Sequence, residues 1–349
     1  MVSRERPQLV YLVYGKQKSY RQEAKFSMLS ALRCTSPESM PSILVYTDEP
    51  KAFTGWPVDV VALSGDELDD WTGRQGYLHR RKAVAIRAAL VCCERSVFID
   101  TDTFFIAPAN RLFERLSRGE WLVDKIEGTW GEWADQPLYA ATASLLREEY
   151  GVGDDMRLIN SGVLGLNHDA VRLMDRAIDL IDELHPLAPD IHIIEQFAVG
   201  VAAYGLPEPT ETRGLVRHYY GEKRYWRPVL DVFFANHGEL YSPALIEASG
   251  QVPRSRPKPP KWRRLIFRLA STLFVRKQLK MARSAFYAVN LPRDAYSAAC
   301  APVYAMELVN SGFDSSSIAA DPPVGWLRLL SSGQRKRLQA LLDDAQRLS

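Results

Sequence analysis

The stretch RRKAVAIRAALVCCERSVFIDTDTFF, residues 80–105, decides the fold of this 349-residue chain. Its first part, 80–94, spaces apolar residues as one face of a helix does. The run 96–100 that follows is apolar, typical of a buried strand, and ends at Asp100, with Asp102 two positions further on. A helix that leads into a buried strand is the repeating unit of α/β proteins. Because an ionised carboxylate is costly to bury without a partner, the pair also indicates a site.

Similar units precede and follow this segment. Further predicted strands cover 9–14, 42–50 (ending in a turn), 58–63, 121–126 and 159–167, and further predicted helices cover 20–33, 110–116 and 168–185. This alternation predicts an α/β fold with a Rossmann-like, mostly parallel sheet that is flanked by helices. Ligands of such sheets bind beyond the carboxyl ends of the strands, where Asp100 and Asp102 would lie.

The pattern changes after residue 249. Residues 250–262, GQVPRSRPKPPKW, are rich in proline and basic residues and are typical of a linker. We therefore predict an α/β domain over 1–249, a linker over 250–262 and a helical C-terminal region over 263–349.

A basic amphipathic helix is predicted just after the linker. Between Arg254 and Arg283 the sequence has eleven Lys or Arg residues and no Asp or Glu. One helical face would hold Trp262, Leu265, Ile266, Leu269 and Leu273, while Arg264, Arg268 and Ser271 fall mostly on the other. Two interpretations stay open: the helix binds an anionic membrane surface, or it packs its apolar face on the protein and turns its charges to water.

Composition narrows the class of protein. The chain is 46% hydrophobic and 25% charged, with a net charge of +2, which is ordinary for a globular protein and gives no reason to expect a nucleic-acid partner. Its four cysteines lack metal-like spacing, which indicates a reduced chain. We find neither a signal-peptide pattern nor an apolar run of about 18 residues. We expect a cytoplasmic protein, held peripherally at the inner face of a membrane if the basic helix binds lipid.

Three interpretations fit Asp100 and Asp102. The carboxylates could cap a turn or the following helix. They could belong to a phosphohydrolase of the haloacid dehalogenase type, but Phe104 stands where that site needs Thr or Val, and the motif comes late in the chain. They could hold Mn²⁺ or Mg²⁺ on the diphosphate of a nucleotide-sugar. The third interpretation requires further ligands downstream.

Such ligands occur in VRHYYGEKRYW, residues 216–226. His218 offers an imidazole ligand to a cation such as Mn²⁺. Gly221 would let the backbone approach a phosphate, and Lys223 would supply a positive charge for it. The downstream set therefore favours the metal and diphosphate interpretation.

Four motifs together resemble the GT-A-fold retaining glycosyltransferases, nearest to the family-eight group of glycogenin-like and bacterial galactosyltransferase-like enzymes. They are RRKAVAIRAALVCCERSVFIDTDTFF, LINSGVLGLN, IIEQFAVG and HYYGEKRYW, and the resemblance covers roughly residues 8–235. This chain departs from the family in having Glu195 where Asp is usual, Lys223 one residue early and Tyr225 in place of Pro.

The resemblance implies a GT-A fold and a set of site residues. It implies a metal site of Asp100, Asp102 and His218, and donor contacts by Tyr14 (stacking on the base), Arg81, Lys82, Gly221 and Lys223. It also implies a sugar site lined by Asn160, Ser161 and Gly162, with Glu195 and Gln196 facing the reactive carbon.

The implied activity is metal-dependent transfer of a sugar from a nucleoside diphosphate donor, with UDP the expected nucleotide. Transfer would retain configuration by front-face displacement, and the acceptor could be a saccharide, a lipid or a protein. Two alternatives stay open. One is a nucleotidyltransferase of related fold, for which YGKQKSYR after the first strand is a poor glycine-rich loop. The other is a non-catalytic lipid- or polyanion-binding protein that acts through residues 254–283.

Overall fold

The computed structural model describes residues 6–272, 274–313, 315–319 and 325–347. Its strands are β1 (Gln8–Val13), β2 (Ser42–Thr47), β3 (Asp59–Ala62), β4 (Arg95–Ile99), β5 (Thr103–Phe105), β6 (Leu122–Thr129), β7 (Arg157–Asn167), β8 (Thr210–Glu211) and β9 (Val216–His218). Its helices are α1 (Lys18–Cys34), α2 (Gly65–Thr72), α3 (Arg80–Cys92), α4 (Asn110–Leu116), α5 (Pro137–Tyr150), α6 (Val171–Leu184), α7 (Ile194–Ala202), α8 (Lys223–His237), α9 (Pro243–Ser249), α10 (Lys261–Ala270), α11 (Arg276–Asn290), α12 (Ala295–Ala299), α13 (Ala301–Val309) and α14 (Ser332–Arg347).

Seven strands form one sheet in the order β3-β2-β1-β4-β7-β6-β8. Four of its six neighbouring pairs are parallel, and β7 runs antiparallel to both β4 and β6. The central strands β1 and β4 are mostly apolar and almost wholly buried, as expected for strands covered on both faces. The predicted α/β fold, a mostly parallel sheet flanked by helices, is therefore confirmed.

The helices cover the sheet through small or amphipathic faces. Helix α3 buries Ala83, Ala85, Ile86, Ala89 and Leu90, and α6 buries Met174, Ala177, Leu180, Ile181 and Leu184. The alanines of α3 have little side-chain volume, which suits a helix that packs close to its neighbours. The start of α3 and the end of β4 are thereby fixed relative to each other.

A second, two-stranded sheet lies beside the end of β4 and was not predicted. Strand β5 follows directly after Asp102 and pairs antiparallel with β9, so that Thr103 lies opposite His218. Thr103 is buried and donates its hydroxyl to the carbonyl oxygen of Asp100 at 2.9 Å. These contacts fix the turn 100–102 against the segment that carries His218.

The chain divides into two structural units. The first comprises the chain up to Tyr220 together with Glu239–Gly250, and it contains both sheets. The second comprises Gly221–Gly238 and the chain from Gln251 onwards; its described secondary structure is helical. The predicted helical C-terminal region is thus confirmed. This division assigns α8 to the helical unit, whereas the predicted domain 1–249 includes it; the three predicted ranges stay predictions.

Aromatic side chains and one arginine build the core of the helical unit. The rings of Tyr225 in α8 and Tyr304 in α13 lie 4.8 Å apart between centroids. The Arg256 guanidinium sits 3.6 Å from the Tyr225 ring centroid, and its Nε donates to the Tyr304 hydroxyl at 2.8 Å. Residues 250–262 therefore contribute to packing in this unit, through Arg256.

Two further sequence expectations concern membranes and cysteines. Over the described part of the chain, every helix is too short or too polar to cross a bilayer. Cys34, Cys92, Cys93 and Cys300 all carry free thiols.

Candidate metal and donor site

Asp100, Asp102 and His218 come together at the carboxyl end of β4. Each offers one ligand atom, and these atoms all lie within 4.8 Å of one another. The Nε2 atom of His218 is 3.3 Å from Oδ2 of Asp102 and 3.9 Å from Oδ2 of Asp100. Two carboxylates and an imidazole at these separations form a donor set that suits Mn²⁺.

The backbone places His218 in this position. Tyr219 donates its N–H to the carbonyl oxygen of Asp102 at 3.0 Å, next to the pairing of β5 with β9. The imidazole ring lies directly against Gly162 of β7, where an added Cβ would come within 2.1 Å of His218 Cε1. Gly162 thus leaves the space that His218 occupies. Its predicted contact with the sugar stays a prediction.

A third carboxylate, Asp124 of β6, completes the surroundings of His218. Its Oδ2 lies 3.1 Å from His218 Nδ1, and its side chain is buried. Burial opposes a charged imidazole, but the hydrogen bonds to Asp102 and Asp124 outweigh it and raise the pKa of His218 to about 9. A carboxylate at Nδ1 also orients a neutral ring so that Nε2 faces a metal. Sequence reasoning missed Asp124, although an acid inside the apolar run 121–126 is the same signal that singled out Asp100.

Lys82 contacts both Asp100 of the candidate metal site and Ser161 of β7. Its Nζ lies 3.2 Å from Oδ1 of Asp100, 3.0 Å from Oγ of Ser161 and 3.7 Å from Oε2 of Glu195. Burial favours the neutral amine, but Asp100 and Glu195 together raise the pKa of Lys82. The ammonium group is therefore held between two carboxylates.

Glu195 lies in the first turn of α7 and is buried. Its Oε2 accepts a hydrogen bond from Ser161 Oγ at 2.9 Å, and its backbone N–H donates to the Tyr77 hydroxyl at 3.1 Å. Its Oε1 is buried and has no hydrogen-bond partner among the described residues. Burial raises the pKa of Glu195, and the charge of Lys82 opposes this shift.

Asn160 and Gln196 converge on a residue that was not predicted, Glu127 of β6. Asn160 Nδ2 lies 3.4 Å from Glu127 Oε1, and Gln196 Nε2 lies 3.5 Å from Glu127 Oε2. Lys125 forms a 2.6 Å ion pair with Glu127. Asn160 also accepts the N–H of Gly162 on its Oδ1 at 3.0 Å. Asn160 and Gln196 therefore share one polar cluster with Lys125 and Glu127.

Tyr14 and Arg81 contact each other beyond the end of β1. The Arg81 guanidinium lies 4.8 Å from the Tyr14 ring centroid. Arg81 Nε donates to the Leu68 carbonyl at 2.8 Å and to Thr72 Oγ1 at 2.6 Å, which ties it to α2. Burial raises the pKa of Tyr14, and the charge of Arg81 opposes the shift. Contact of either side chain with a donor stays a prediction.

The last two predicted donor residues lie in the other unit. Gly221 belongs to a 3-10 turn over Tyr220–Glu222, and Lys223 is the first residue of α8. Both fall in the helical unit, which begins at Gly221. Their role at the diphosphate stays a prediction.

Comparisons with known proteins find similarity among solved structures. A scan against protein-family models and a search of curated proteins both return no match. Among solved structures, the chain is similar to apo mouse xyloside xylosyltransferase 1 (17% identity, 60% of this chain and 85% of that one, TM-score 0.40). It is also similar to the glycosyltransferase GlyE of Streptococcus pneumoniae TIGR4 (14% identity, 72% of this chain and 65% of that one, TM-score 0.43). A third similar structure is the galactosyltransferase LgtC with donor and acceptor sugar analogues (13% identity, 73% of this chain and 99% of that one, TM-score 0.40). The match spans less than two thirds of GlyE.

All three structures are of glycosyltransferases. At such identities the likeness concerns the backbone arrangement alone. The chemistry of this chain rests on its own residues.

Proposed function

We propose that this protein is a metal-dependent glycosyltransferase that moves a sugar from a nucleoside diphosphate donor, UDP-sugar, to a hydroxyl group of an acceptor. The observation that carries the proposal is the convergence of Asp100, Asp102 and His218, whose ligand atoms lie within 4.8 Å of one another. His218 is distant in sequence from the two aspartates, and a separate small sheet brings it to them.

The residues present fit a divalent cation. Carboxylate oxygens suit Mg²⁺ and Mn²⁺, and an imidazole nitrogen favours Mn²⁺ of the two. The buried carboxylates of Asp102 and Asp124 both face His218, so negative charge is concentrated around its ring. When bound, the cation would neutralise the charge that develops on the departing diphosphate. Asp100, Asp102 and His218 would hold it, and Asp124 would orient His218.

Lys82 positions two carboxylates of the proposed site, those of Asp100 and Glu195. Its ammonium lies between Asp100 on the metal side and Glu195 at the start of α7. Because it contacts both, it holds the two carboxylates at a fixed separation. The donor sugar would bind beside this group, against Asn160, Ser161 and Glu127.

Glu195 stabilises positive charge at the reactive carbon. One of its oxygens is engaged by Ser161, while Oε1 has no hydrogen-bond partner in the described part of the protein. The nearby Lys82 ammonium reduces the nucleophilicity of this carboxylate, which favours electrostatic stabilisation over a covalent intermediate. We therefore propose front-face displacement with retention, assisted by Gln196.

One contact argues against the nucleotidyltransferase alternative. Such an enzyme would direct backbone amides of the loop after β1 towards phosphates. Here the Gly15 N–H donates to the Asp48 carboxylate at 3.0 Å, so that amide already has an anionic partner.

The proposal is tested by thermal shift and donor hydrolysis with a panel of nucleotide-sugars in the presence of Mn²⁺. A ligand at 100 times its Kd stabilises a folded protein by about 2.7 kcal/mol, so no acceptor is needed. We expect at least one UDP-sugar to stabilise the wild type in a Mn²⁺-dependent manner. The Asp100→Asn/Asp102→Asn variant should show no such shift.

The matched control is Asp135→Asn/Asp190→Asn, which removes two exposed aspartates outside the site. It should behave as the wild type. The proposal fails if no nucleotide-sugar distinguishes the wild type from the site variant. It also fails if a nucleoside triphosphate, and not a nucleotide-sugar, is the ligand that stabilises.

A further inference from the structure

Helix α10 presents its apolar face to solvent. Four large side chains spaced as i, i+3, i+4 and i+7 are more than half exposed: Trp262 (59%), Leu265 (56%), Ile266 (57%) and Leu269 (66%). This spacing places them on one stripe of the helix, the apolar stripe. Leu273, predicted for the same face, lies outside the described residues. An amphipathic helix of a globular protein ordinarily buries this stripe, so its exposure requires a partner.

The opposite side of α10 attaches it to the helical unit. Phe267 is buried, and its ring stacks on Phe286 of α11 with centroids 4.7 Å apart. Arg263 donates to Asn290 Oδ1, at the end of α11, at 2.6 Å. The fold therefore fixes the orientation of α10 with the apolar stripe outward.

The surroundings of the apolar stripe are strongly basic. Residues 254–283 contain eleven Lys or Arg and no acid in a chain of net charge +2, so the rest of the chain is net negative by nine. Lys261 and Arg268 of α10, and Arg276 and Lys277 just beyond it, are exposed, and none forms an ion pair within the described residues. Positive charge is thus concentrated beside the exposed apolar side chains.

A cavity behind α10 has the same electrostatic character. It measures about 410 Å³, and Arg264, Arg268 and Arg283 line it without any carboxylate. The Nε atom of Arg264 is buried and lacks a hydrogen-bond partner among the residues described. Three guanidinium groups around one cavity favour an anionic occupant such as a phosphate.

We propose that α10 docks on the surface of an anionic lipid bilayer. The apolar stripe would enter the boundary between headgroups and acyl chains, while the lysines and arginines beside it would contact lipid phosphates. A bilayer supplies both an apolar layer and negative charge. A second copy of this chain supplies only the first, because two such faces would bring like charges together. This inference does not depend on the proposed sugar transfer.

The test is co-sedimentation of the full chain with vesicles of phosphatidylglycerol and phosphatidylcholine, compared with phosphatidylcholine alone. We expect binding to the anionic vesicles to be stronger by about tenfold or more, and to weaken in 0.5 M NaCl. Leu265→Ser/Leu269→Ser shortens the apolar stripe, and Lys261→Gln/Arg268→Gln removes charges beside it. Each change should weaken binding by about tenfold or more.

Matched controls make similar changes elsewhere. Leu240→Ser alters a leucine that is 80% exposed, Lys51→Gln/Arg74→Gln removes two exposed charges, and Asp100→Asn alters the candidate metal site. All three should bind vesicles as the wild type does, and circular dichroism should show every variant folded. Equal binding to neutral vesicles, or binding that ignores the α10 variants, would overturn the proposal. So would a dimer in solution that the Leu265→Ser/Leu269→Ser variant dissociates, with no vesicle binding.

Discussion

The buried Asp124 carboxylate lies 3.1 Å from His218 Nδ1, on the side of the ring opposite the Nε2 that faces Asp100 and Asp102. This contact orients the ring so that Nε2 faces the two aspartates. The candidate metal site therefore combines three potential ligands with one buried acid that orients the third.

Asp124→Ala removes the group that orients His218. We expect Mn²⁺ affinity to fall by about 10- to 100-fold, because loss of such a partner leaves the ligand free to turn and less basic. Isothermal titration of Mn²⁺ measures this directly. Asp135→Ala, at an exposed position, should leave the affinity unchanged. Unchanged affinity in Asp124→Ala would show that the contact is not used in metal binding.

Gly162→Ala places a methyl group where the His218 ring lies. The added Cβ would come within 2.1 Å of Cε1, so the imidazole must leave its present position. We expect a loss of stability of about 1–3 kcal/mol and loss of Mn²⁺ binding.

Gly165→Ala is the matched control on the same strand. Its Cβ would meet the Leu122 side chain at 2.9 Å, a clash of similar kind that does not touch the site. It should lose stability yet keep Mn²⁺ affinity. If both variants bind Mn²⁺ equally well, Gly162 does not position His218.

Lys82→Met removes the cation between Asp100 and Glu195. Breaking a buried ion pair leaves its partners uncompensated, and we expect a loss of about 3–5 kcal/mol in the free energy of unfolding without metal. Added Mn²⁺ should recover part of this loss, since it supplies positive charge at Asp100. Urea unfolding with and without Mn²⁺ checks both expectations. Equal losses in the two conditions would contradict a charge-balancing role for Lys82.

In the first unit, Glu239 forms a pH-dependent ion pair with Lys25 of α1. Burial opposes ionisation of this carboxyl, but the Lys25 ammonium at 2.8 Å holds its pKa below the ordinary value. A lowered folded-state pKa means that the stabilisation is present above the unfolded-state pKa of about 4.3 and is lost as pH falls below it. Glu239→Gln should therefore unfold with a flatter dependence on pH below about 5 than the wild type. Identical slopes in urea unfolding would refute this.

Hydrophobic patterning in the sequence was sufficient to predict the main strands, and an acid pair at a strand end indicated the candidate metal site. The segments of β1, β4 and β7 are mostly apolar and buried, and their short apolar runs alternating with helical patterns indicated strands. Asp100 and Asp102 stood out because acids are rare in such runs. His218 was found through the downstream motif.

The remaining site residues depend on tertiary pairing. Strands β5 and β9 have three residues each, too few for a periodic signal, and their pairing sets the contact between Asp102 and His218. Lys125 and Glu127 lie on β6 next to register shifts in its pairing with β7, which no local pattern encodes. The outward orientation of α10 was likewise open, because a helical face looks the same in sequence whether it is covered or exposed.

The central claim is that Asp100, Asp102 and His218 hold a divalent cation that binds the donor diphosphate. Pulsed electron paramagnetic resonance of Mn²⁺ with the full chain and UDP tests it most directly. We expect a nitrogen coupling from the His218 imidazole together with phosphorus couplings from the nucleotide, and loss of the nitrogen coupling in His218→Ala. Phosphorus couplings without any nitrogen coupling, or a nitrogen coupling that persists in His218→Ala, would contradict the claim.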